Sequence, residues 1–287
     1  MNTKQFTVTG GKGFRLSDIG PDFTNGKNKG KDIDLQIEEN IKEMARLQDM
    51  LYAYNKYGIL IILQAMDAAG KDSAIKHIMS GFNPQGVNVT SFQAPSAEEI
   101  DHDYLWKSHQ HIPSRGNIAI FNRSYYEDVI VVKIHNLLEA QNIPEGLINK
   151  NVWQERYRQI RDFEKYMEEN GIIVIKFFLH ISKEEQRKRL LERLENPDKN
   201  WKFSAGDLVE RKQWDNYQET YEEMIRETST DCAPWYVIPA NKKWFARLLI
   251  SEIIKDNMSR LPIKYPEMTA EDKNEIESYK KQLSEKG

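Results

Sequence analysis

An apolar run that ends in a small, glycine-containing turn constrains the fold of this chain more than any other feature of its sequence. The run LIILQAM is followed by DAAGKDS at residues 67–73. A strand that ends in such a turn, with lysine after the glycine, is typical of loops that bind phosphate at a helix N-terminus. The pattern is incomplete, because Ala65 replaces its first glycine and Asp72 replaces its serine or threonine. The stretch is therefore a degraded phosphate loop, a chance strand–helix junction, or a loop adapted to a different phosphate.

Strand-like and helical patterns alternate along most of the chain. The strand-like runs cover residues 58–66, 87–92, 117–122, 172–181 and 235–239. The first, third and fourth are almost continuously apolar, as expected for strands buried on both faces of a parallel sheet. Helical segments separate the runs, so the sequence predicts an α/β fold with a parallel five-stranded sheet flanked by helices.

Changes in composition suggest three regions. Residues 1–33 are polar and rich in glycine and lysine, and we expect them to form an irregular N-terminal arm. Residues 34–260 contain all the predicted strands and form the main domain. Residues 261–287 form a charged tail.

Bulk properties exclude several classes of protein. The net charge of −3 argues against a general nucleic-acid-binding protein. No apolar run reaches the roughly 18 residues of a membrane span, and the N-terminus lacks the apolar core of a signal peptide. A single cysteine, Cys232, allows no internal disulfide and favours a reducing compartment. We therefore expect a cytoplasmic protein that binds neither nucleic acid nor membrane.

The turn itself contains an unusual carboxylate. Asp67 would repel phosphates unless a divalent cation or a proton lies between them, so we predict that it holds a metal ion or orients an attacking phosphate. Asp72 offers a hard oxygen ligand that is also suited to a divalent cation. Lys76 lies on the following helix and either reaches a more distant phosphate or is simply exposed. The residues predicted to bind phosphate are Ala68, Ala69, Gly70, Lys71, Ser73, Lys76 and Arg123.

A second polar cluster follows the third predicted strand, in NIAIFNRSYYEDV. Asn122 stands where phosphate-loop proteins usually carry aspartate, and the forked guanidinium of Arg123 suits a phosphate. Asp128 is predicted to share a metal ion with Asp67. Glu127 either contacts a nucleotide or only places a negative charge at a helix N-terminus.

Three separated stretches resemble the polyphosphate kinase 2 family. They are QAMDAAGKDSAIKHIMSGFNPQGVNVTSF, DYLWKSHQHIPSRGNIAIFNRSYYEDV and ETSTDCAPWYVIPANKKW, and the resemblance extends over about residues 30–260. It implies a P-loop kinase-like core with a helical lid. It also implies transfer of a phosphoryl group between inorganic polyphosphate and a nucleotide, with Mg²⁺ or Mn²⁺ as cofactor.

The resemblance also assigns roles to individual residues. Asp67, Lys71 and Asp72 match the family's catalytic loop residues, so the departures in the loop look like the family signature. Asn122 and Arg123 match its second motif, with Arg123 contacting phosphate and acting in catalysis.

The sequence YYED resembles the subgroup that phosphorylates both nucleoside mono- and diphosphates. On this basis Asn122, Tyr126 and Glu127 are predicted to bind the nucleotide. Residues 182–207 correspond to the lid, in which Arg187 and Lys202 are predicted to close over phosphates. Most other charges of this segment, including the Glu185–Arg189 pair, fit a solvated helix equally well.

The resulting prediction is a reversible polyphosphate:nucleotide phosphotransferase that converts AMP or ADP, or GMP or GDP, into the next higher phosphate. We expect it to form a homo-oligomer, either a dimer or a tetramer. One alternative is an ATP-dependent nucleotide or small-molecule kinase on the same fold, and another is a non-catalytic nucleotide sensor. The missing Ser/Thr of the loop and the presence of Asp67 argue against the ATP-dependent kinase.

Overall fold

A six-stranded, mostly parallel β-sheet forms the centre of the protein. In the computed structural model, residues 1–284 are described, so the last three residues of the predicted tail lie outside the described residues. The strands are β1 (Thr7–Val8), β2 (Gly58–Gln64), β3 (Val87–Ser91), β4 (Ile118–Asn122), β5 (Ile172–His180) and β6 (Trp235–Pro239). Their order across the sheet is β1-β6-β5-β2-β4-β3.

The five predicted strands are β2 to β6, and they pair in parallel. The prediction of an α/β sheet is confirmed, but the prediction of five strands was one too few. The additional strand, β1, lies in the N-terminal arm and pairs antiparallel with β6. Its two residues are too few to show a periodic pattern, so no local signal predicts it.

Helices occupy most of the chain between the strands. They are α1 (Lys31–Tyr54), α2 (Lys71–Met79), α3 (Ala97–Ile100), α4 (Trp106–His109), α5 (Glu127–Ile134), α6 (Val152–Glu169), α7 (Lys183–Glu195), α8 (Ala205–Lys212), α9 (Trp214–Thr228), α10 (Lys243–Ser259) and α11 (Ala270–Ser284). Helices α1, α2 and α10 pack together, and α5, α6 and α9 form a second group. Within residues 1–284, no helix is both long enough and apolar enough to cross a membrane.

The central strand explains how the sheet positions the polar segments. All seven residues of β2 are buried, because GILIILQ places isoleucine and leucine on both faces. Leu63 near the end of β2 pairs with Asn122 at the end of β4. The segments that follow these two neighbouring parallel strands therefore begin side by side at one edge of the sheet.

The N-terminal arm is more ordered than the sequence indicated. Besides β1, it contains 3-10 turns at Lys4–Phe6 and Leu16–Asp18, and it buries Phe6, Leu16 and Ile19 in the core. Helix α1 begins at Lys31, after Gly30, and so includes the last residues assigned to the arm.

A buried ion pair fixes the segment that follows β4. Lys176 of β5 donates hydrogen bonds to Glu164 Oε2 at 2.7 Å, to Tyr126 Oη at 2.9 Å and to the Thr228 carbonyl at 2.9 Å. The hydroxyls of Tyr125 and Tyr126 donate to Glu164 Oε1 at 2.8 and 2.7 Å. All three ammonium hydrogens of Lys176 therefore have acceptors, as a buried charge requires. Breaking such a buried network would lower the stability of the folded protein. Because Tyr125 and Tyr126 belong to it, the network holds the start of α5, which follows them, in place.

Candidate functional site

The loop between β2 and α2 has the backbone conformation of a tight anion-binding turn. Ala68 and Gly70 have φ values of 61° and 106°, in the left-handed region. Gly70 is favoured there because a residue with a Cβ atom rarely adopts a φ of 106°. Helix α2 begins at Lys71, so its unpaired N–H groups and the positive end of its dipole lie at the loop.

Lys71 reaches back across the loop. Its Nζ donates to the Ala65 carbonyl at 2.9 Å and lies 3.5 Å from the Met66 carbonyl, and the residue is only 9% exposed. Burial lowers the pKa of Lys71, and the negative charge of Asp67 opposes that shift. The ammonium group is thus held beside the loop backbone by two consecutive carbonyl groups.

Asp67 and Arg123 form an ion pair between the two predicted clusters. Arg123 Nη2 donates to Asp67 Oδ1 at 2.8 Å. Burial alone would raise the pKa of Asp67, but the charges of Lys71 and Arg123 outweigh it, so the pKa lies below its usual value. Asp67 is therefore ionised at neutral pH. Arg123 has a φ of 64°, unusual for a residue with a side chain, and this conformation turns the chain directly after β4.

The end of β4 is tied to the first turn of α2. Asn122 Nδ2 donates to Asp72 Oδ1 at 3.1 Å and, less closely, to Ser91 Oγ at 3.4 Å. Ser73 Oγ accepts a hydrogen bond from Arg247 Nη2 of α10 at 3.1 Å. Asp67, Lys71, Asp72, Asn122 and Arg123, predicted separately, are thus brought together at one edge of the sheet.

Two residues of α7 also contact the loop, and the sequence analysis did not select them. Gln186 Nε2 donates to the Asp67 carbonyl at 3.1 Å. Arg189 is buried and donates to the carbonyls of Ala68 and Ala69, while its Nε pairs with Glu185 at 2.7 Å. Its Nη2 also donates to the carbonyls of residues 240 and 241, which follow β6. Arg189 therefore braces the loop from the segment predicted to be the lid.

The two predicted lid residues lie away from the loop. Arg187 is exposed and pairs with Glu184, one turn back on α7. Lys202 is exposed, and its Nζ lies 5.0 Å from the centre of the Trp201 ring. Lys76 is also exposed, in agreement with the simpler of the two interpretations given above.

One predicted role needs correction, and another stays untested. Tyr126 is 0% exposed, and its hydroxyl belongs to the buried network around Glu164, so it is not available to a nucleotide. The metal site shared by Asp128 and Asp67 stays a prediction. Asp128 Oδ1 accepts a hydrogen bond from Gln141 at 2.7 Å, whereas Asp67 pairs with Arg123.

The buried position of Glu127 is expected to lower the stability of the folded protein at neutral pH. Burial raises the pKa of Glu127, although the charges of Arg123 and Lys71 oppose the rise. A carboxyl group whose pKa is raised in the folded state stabilises that state at pH values below its ordinary pKa of about 4.3. This stabilisation is lost as the pH rises through the raised pKa. We therefore expect Glu127→Gln to be more stable than the parent protein at pH 7, with an advantage that shrinks as the pH approaches about 4.

Urea unfolding at several pH values measures this effect, with Glu145→Gln as the control because Glu145 is exposed. The control is expected to leave stability unchanged. A Glu127→Gln variant that is less stable than the parent protein at pH 7 would contradict the electrostatic explanation.

The loop region suits a divalent cation that is bound jointly with substrate. Within residues 1–284 no three His, Cys, Asp or Glu side chains form a cluster that could hold a metal alone. Mg²⁺ is usually bound through one or two carboxylates together with substrate phosphates and water. The carboxylates of Asp67 and Asp72, on either side of Lys71, match that requirement.

Four features occur together at this edge of the sheet: a buried strand, a tight loop, a lysine at the helix start, and an Asn-Arg pair at the end of the neighbouring strand β4. They define a P-loop kinase-like phosphotransferase. The family model of polyphosphate kinase 2 (PPK2) matches residues 27–264. The chain belongs to this family.

Relatives with similar sequences match almost the whole chain. An AMP/ADP-polyphosphate phosphotransferase from Meiothermus ruber is 47% identical over 276 residues, covering 96% of this chain and 100% of the relative. An ADP-polyphosphate phosphotransferase from Rhodopseudomonas palustris is 44% identical over 289 residues, covering 99% of both. The crystal structure of polyphosphate kinase 2 from Arthrobacter aurescens TC1 is 37% identical and superposes with a TM-score of 0.85, covering 95% of each chain.

Proposed function

We propose that this protein transfers a phosphoryl group between inorganic polyphosphate and AMP or ADP, or GMP or GDP, and that the reaction is reversible. The observation that carries this proposal is the Asp67–Arg123 ion pair beside Lys71 on a PPK2 fold. It combines two cations that suit phosphates with a carboxylate that suits a metal ion. The full-length relatives from Meiothermus ruber and Rhodopseudomonas palustris support the choice of donor and acceptor.

The chemistry demands positioning and charge neutralisation more than covalent catalysis. Lys71 and Arg123 bind phosphoryl oxygens, and the N-terminus of α2 adds its dipole. The terminal phosphate of the acceptor is already ionised at pH 7, so the mechanism requires no strong general base. The task of the protein is to bring two polyanions together in line.

A divalent cation, Mg²⁺ or Mn²⁺, supplies the remaining neutralisation when it is bound. Asp67 would hold it, with Asp72 as the neighbouring carboxylate. Because Asp67 is ionised and already oriented by Arg123, it is ready to bind the cation without prior proton loss.

Residues 182–207 act as the lid in this proposal. Gln186 and Arg189 join the lid helix directly to the phosphate loop, so movement of α7 and of the loop is coupled. Closure excludes water, which would otherwise hydrolyse the donor. In the closed state Arg187 and Lys202 contact phosphates.

The acceptor range is the finer part of the proposal. The relatives are named for AMP and ADP in one case and for ADP in the other. Glu127, half-buried beside Arg123, is the residue that we propose to distinguish acceptors. We also propose that the protein is a cytoplasmic homo-oligomer.

A ³¹P NMR time course tests donor, acceptor and direction together. The protein is incubated with polyphosphate, Mg²⁺ and either AMP, ADP, GMP or GDP. We expect terminal polyphosphate signals to fall as nucleoside di- or triphosphate signals rise. Transfer that requires ATP as donor would instead favour the ATP-dependent kinase, and binding without turnover would favour a sensor.

A further inference from the structure

The longest uncharged stretch of the sequence coincides with one outer edge of the β-sheet. Although 30% of the residues are charged, no Asp, Glu, Lys, Arg or His occurs from Ile78 to Ala97. This stretch contains β3, which pairs with β4 and has no other neighbouring strand among residues 1–284. The mechanism proposed above gives no role to the outer side of this strand.

The surface around β3 is exposed and uncharged. Asn88, Val89 and Ser91 are exposed, and the apolar Val89 is 44% exposed. Tyr52 of α1 is 60% exposed. It lies beside the turn that leads into the strand, since a Cβ atom on Gly86 would lie 3.8 Å from the Tyr52 ring. Apolar and uncharged polar groups therefore share this surface.

The backbone of β3 directs hydrogen-bonding groups toward the outer side. Phe92, which follows the strand, donates its N–H to the Asn122 carbonyl of β4 at 3.1 Å. Successive residues of a strand direct their backbone groups to opposite sides, so alternate residues share a side. Val89 and Ser91 therefore direct their N–H groups, and Val87 its C=O group, away from β4. Such a row of groups is a template for another strand.

The usual protection of a sheet edge is missing from β3. Edge strands of monomeric proteins are commonly very short, or they carry lysine, proline or a bulge that blocks pairing. At the opposite edge of this sheet, β1 has only two residues. Strand β3 has five residues, VNVTS, with neither a charge nor a proline. It is therefore the edge of the sheet that can accept another strand.

The absence of charge favours a second copy of the same chain as the partner. At a two-fold axis each residue meets its own copy, so a charged residue near the axis would face the same charge. An uncharged surface avoids this repulsion, and specific interfaces are depleted of charged residues at their centre. Two identical strands also match in length and in their backbone donors and acceptors.

We propose that β3 pairs antiparallel with β3 of a second copy, with the two-fold axis at Val89, so that the two six-stranded sheets become continuous. In this register the two Val89 residues exchange a pair of backbone hydrogen bonds. Each Ser91 N–H donates to the carbonyl of the partner's Val87.

The residues that flank β3 enlarge the proposed contact. Tyr52 and the uncharged segments before and after the strand extend it toward the roughly 800 Å² per partner of a stable interface. The inference specifies the interface of the homo-oligomer proposed above, and it does not depend on the proposed reaction.

The pairing leaves each phosphate loop complete within its own chain. The loop site lies at the carboxyl ends of β2 and β4, which are parallel to β3. Because the paired copies of β3 run in opposite directions, the two loop sites lie at opposite ends of the joined sheet. Loss of the pairing should therefore change the mass of the assembly and leave phosphoryl transfer per chain intact.

Light scattering after size-exclusion chromatography, over a range of protein concentrations, tests this interface. We expect the parent protein to have a mass of at least two chains. Val89→Lys should have half the mass of the parent protein, because two ammonium groups would meet at the axis. Val89→Thr is the matched control, since threonine is β-branched and uncharged, and it should retain the parent mass. Leu35→Lys adds the same charge at an exposed position of α1 and should also retain it.

Cross-linking tests the register, and it remains informative if thermal unfolding shows that Val89→Lys is not folded. In a Cys232→Ser background, which removes the single cysteine, Val89→Cys brings two thiols to the axis. The Cα atoms of a hydrogen-bonded antiparallel pair are about 5.5 Å apart, within the range of a disulfide. Gln93→Cys is also exposed but lies beyond the strand, far from its own copy. We expect mild oxidation to link Val89→Cys chains and to leave Gln93→Cys chains largely unlinked.

The outcomes separate this inference from the proposed function. A monomeric parent protein, an unchanged mass in folded Val89→Lys, or equal cross-linking of the two cysteine variants overturns the interface. Loss of phosphoryl transfer in a folded, half-mass Val89→Lys variant overturns the arrangement of two complete sites. If Val89→Lys halves the mass but polyphosphate fails as donor, the interface stands and the proposed reaction is wrong.

Discussion

Asp67→Asn is expected to lower the rate of phosphoryl transfer from polyphosphate by about 10³-fold without unfolding the protein. The asparagine side chain keeps an oxygen for the hydrogen bond from Arg123, which is 2.8 Å long in the parent protein. It loses the negative charge that, in the proposed mechanism, would hold the divalent cation. The effect therefore falls on turnover and metal dependence, while the local geometry is retained.

Initial rates with polyphosphate and ADP over a range of Mg²⁺ concentrations provide the measurement. Asp49→Asn removes the same charge from the exposed face of α1 and should leave the rate unchanged. If Asp67→Asn retained the full rate at low Mg²⁺, the proposed catalytic role of the loop would be wrong.

Arg189→Met is expected to lower the free energy of unfolding by about 3–5 kcal/mol. Arg189 is 7% exposed and donates to backbone carbonyls on two sides while pairing with Glu185. Methionine has a similar length but no donors, so it leaves these buried acceptors and the Glu185 charge without partners. The loop should also lose the hydrogen bonds that Arg189 donates to its carbonyls, which reduces phosphate affinity as well as stability.

Arg187→Met provides the comparison on the same helix. Arg187 is exposed and pairs with Glu184, three residues earlier, so its replacement should change the free energy of unfolding by no more than about 0.5 kcal/mol. Urea unfolding of the two variants gives both values. Similar small losses for the two would mean that the buried hydrogen bonds of Arg189 contribute little.

Most of the sheet was predictable because its strands are local signals. The runs that became β2, β4 and β5 are apolar on both faces, which is the pattern that a covered parallel strand imposes. Strand β1 was not predictable in this way. Thr7 and Val8 form a strand only because the edge of β6 supplies hydrogen-bond partners more than 200 residues away in the chain.

The residues of the candidate site that are close together in the sequence were predictable. Those whose contacts depend on which face of a helix is buried were not. The spacing of the loop identified Lys71 and its neighbours. For Arg189 the expected pair with Glu185 does form, but the same guanidinium also contacts the loop. Spacing along α7 indicates which of its residues are neighbours on the helix. It does not indicate which face of the helix packs against the rest of the protein.

The same limitation explains the assignments made for the start of α5. Tyr126, Glu127 and Asp128 were read as one polar cluster. Tyr126 is buried in the core, Glu127 interacts electrostatically with Arg123 and Lys71 of the loop site, and Asp128 lines a cavity between the segment after β3 and the start of α6. A single turn of helix thus distributes adjacent residues among three environments.

The short pairing between β1 and β6 also bears on how the protein avoids self-association. All five residues of β6 are buried. If its backbone were uncovered, this strand would be an exposed sheet edge that could pair with a strand of another molecule. In the arm, Thr7 and Val8 pair with Tyr236 and Trp235, and this two-residue strand is itself too short to recruit a further strand from another molecule. Loss of residues 1–8 would therefore uncover a template for aggregation while leaving the phosphate loop untouched.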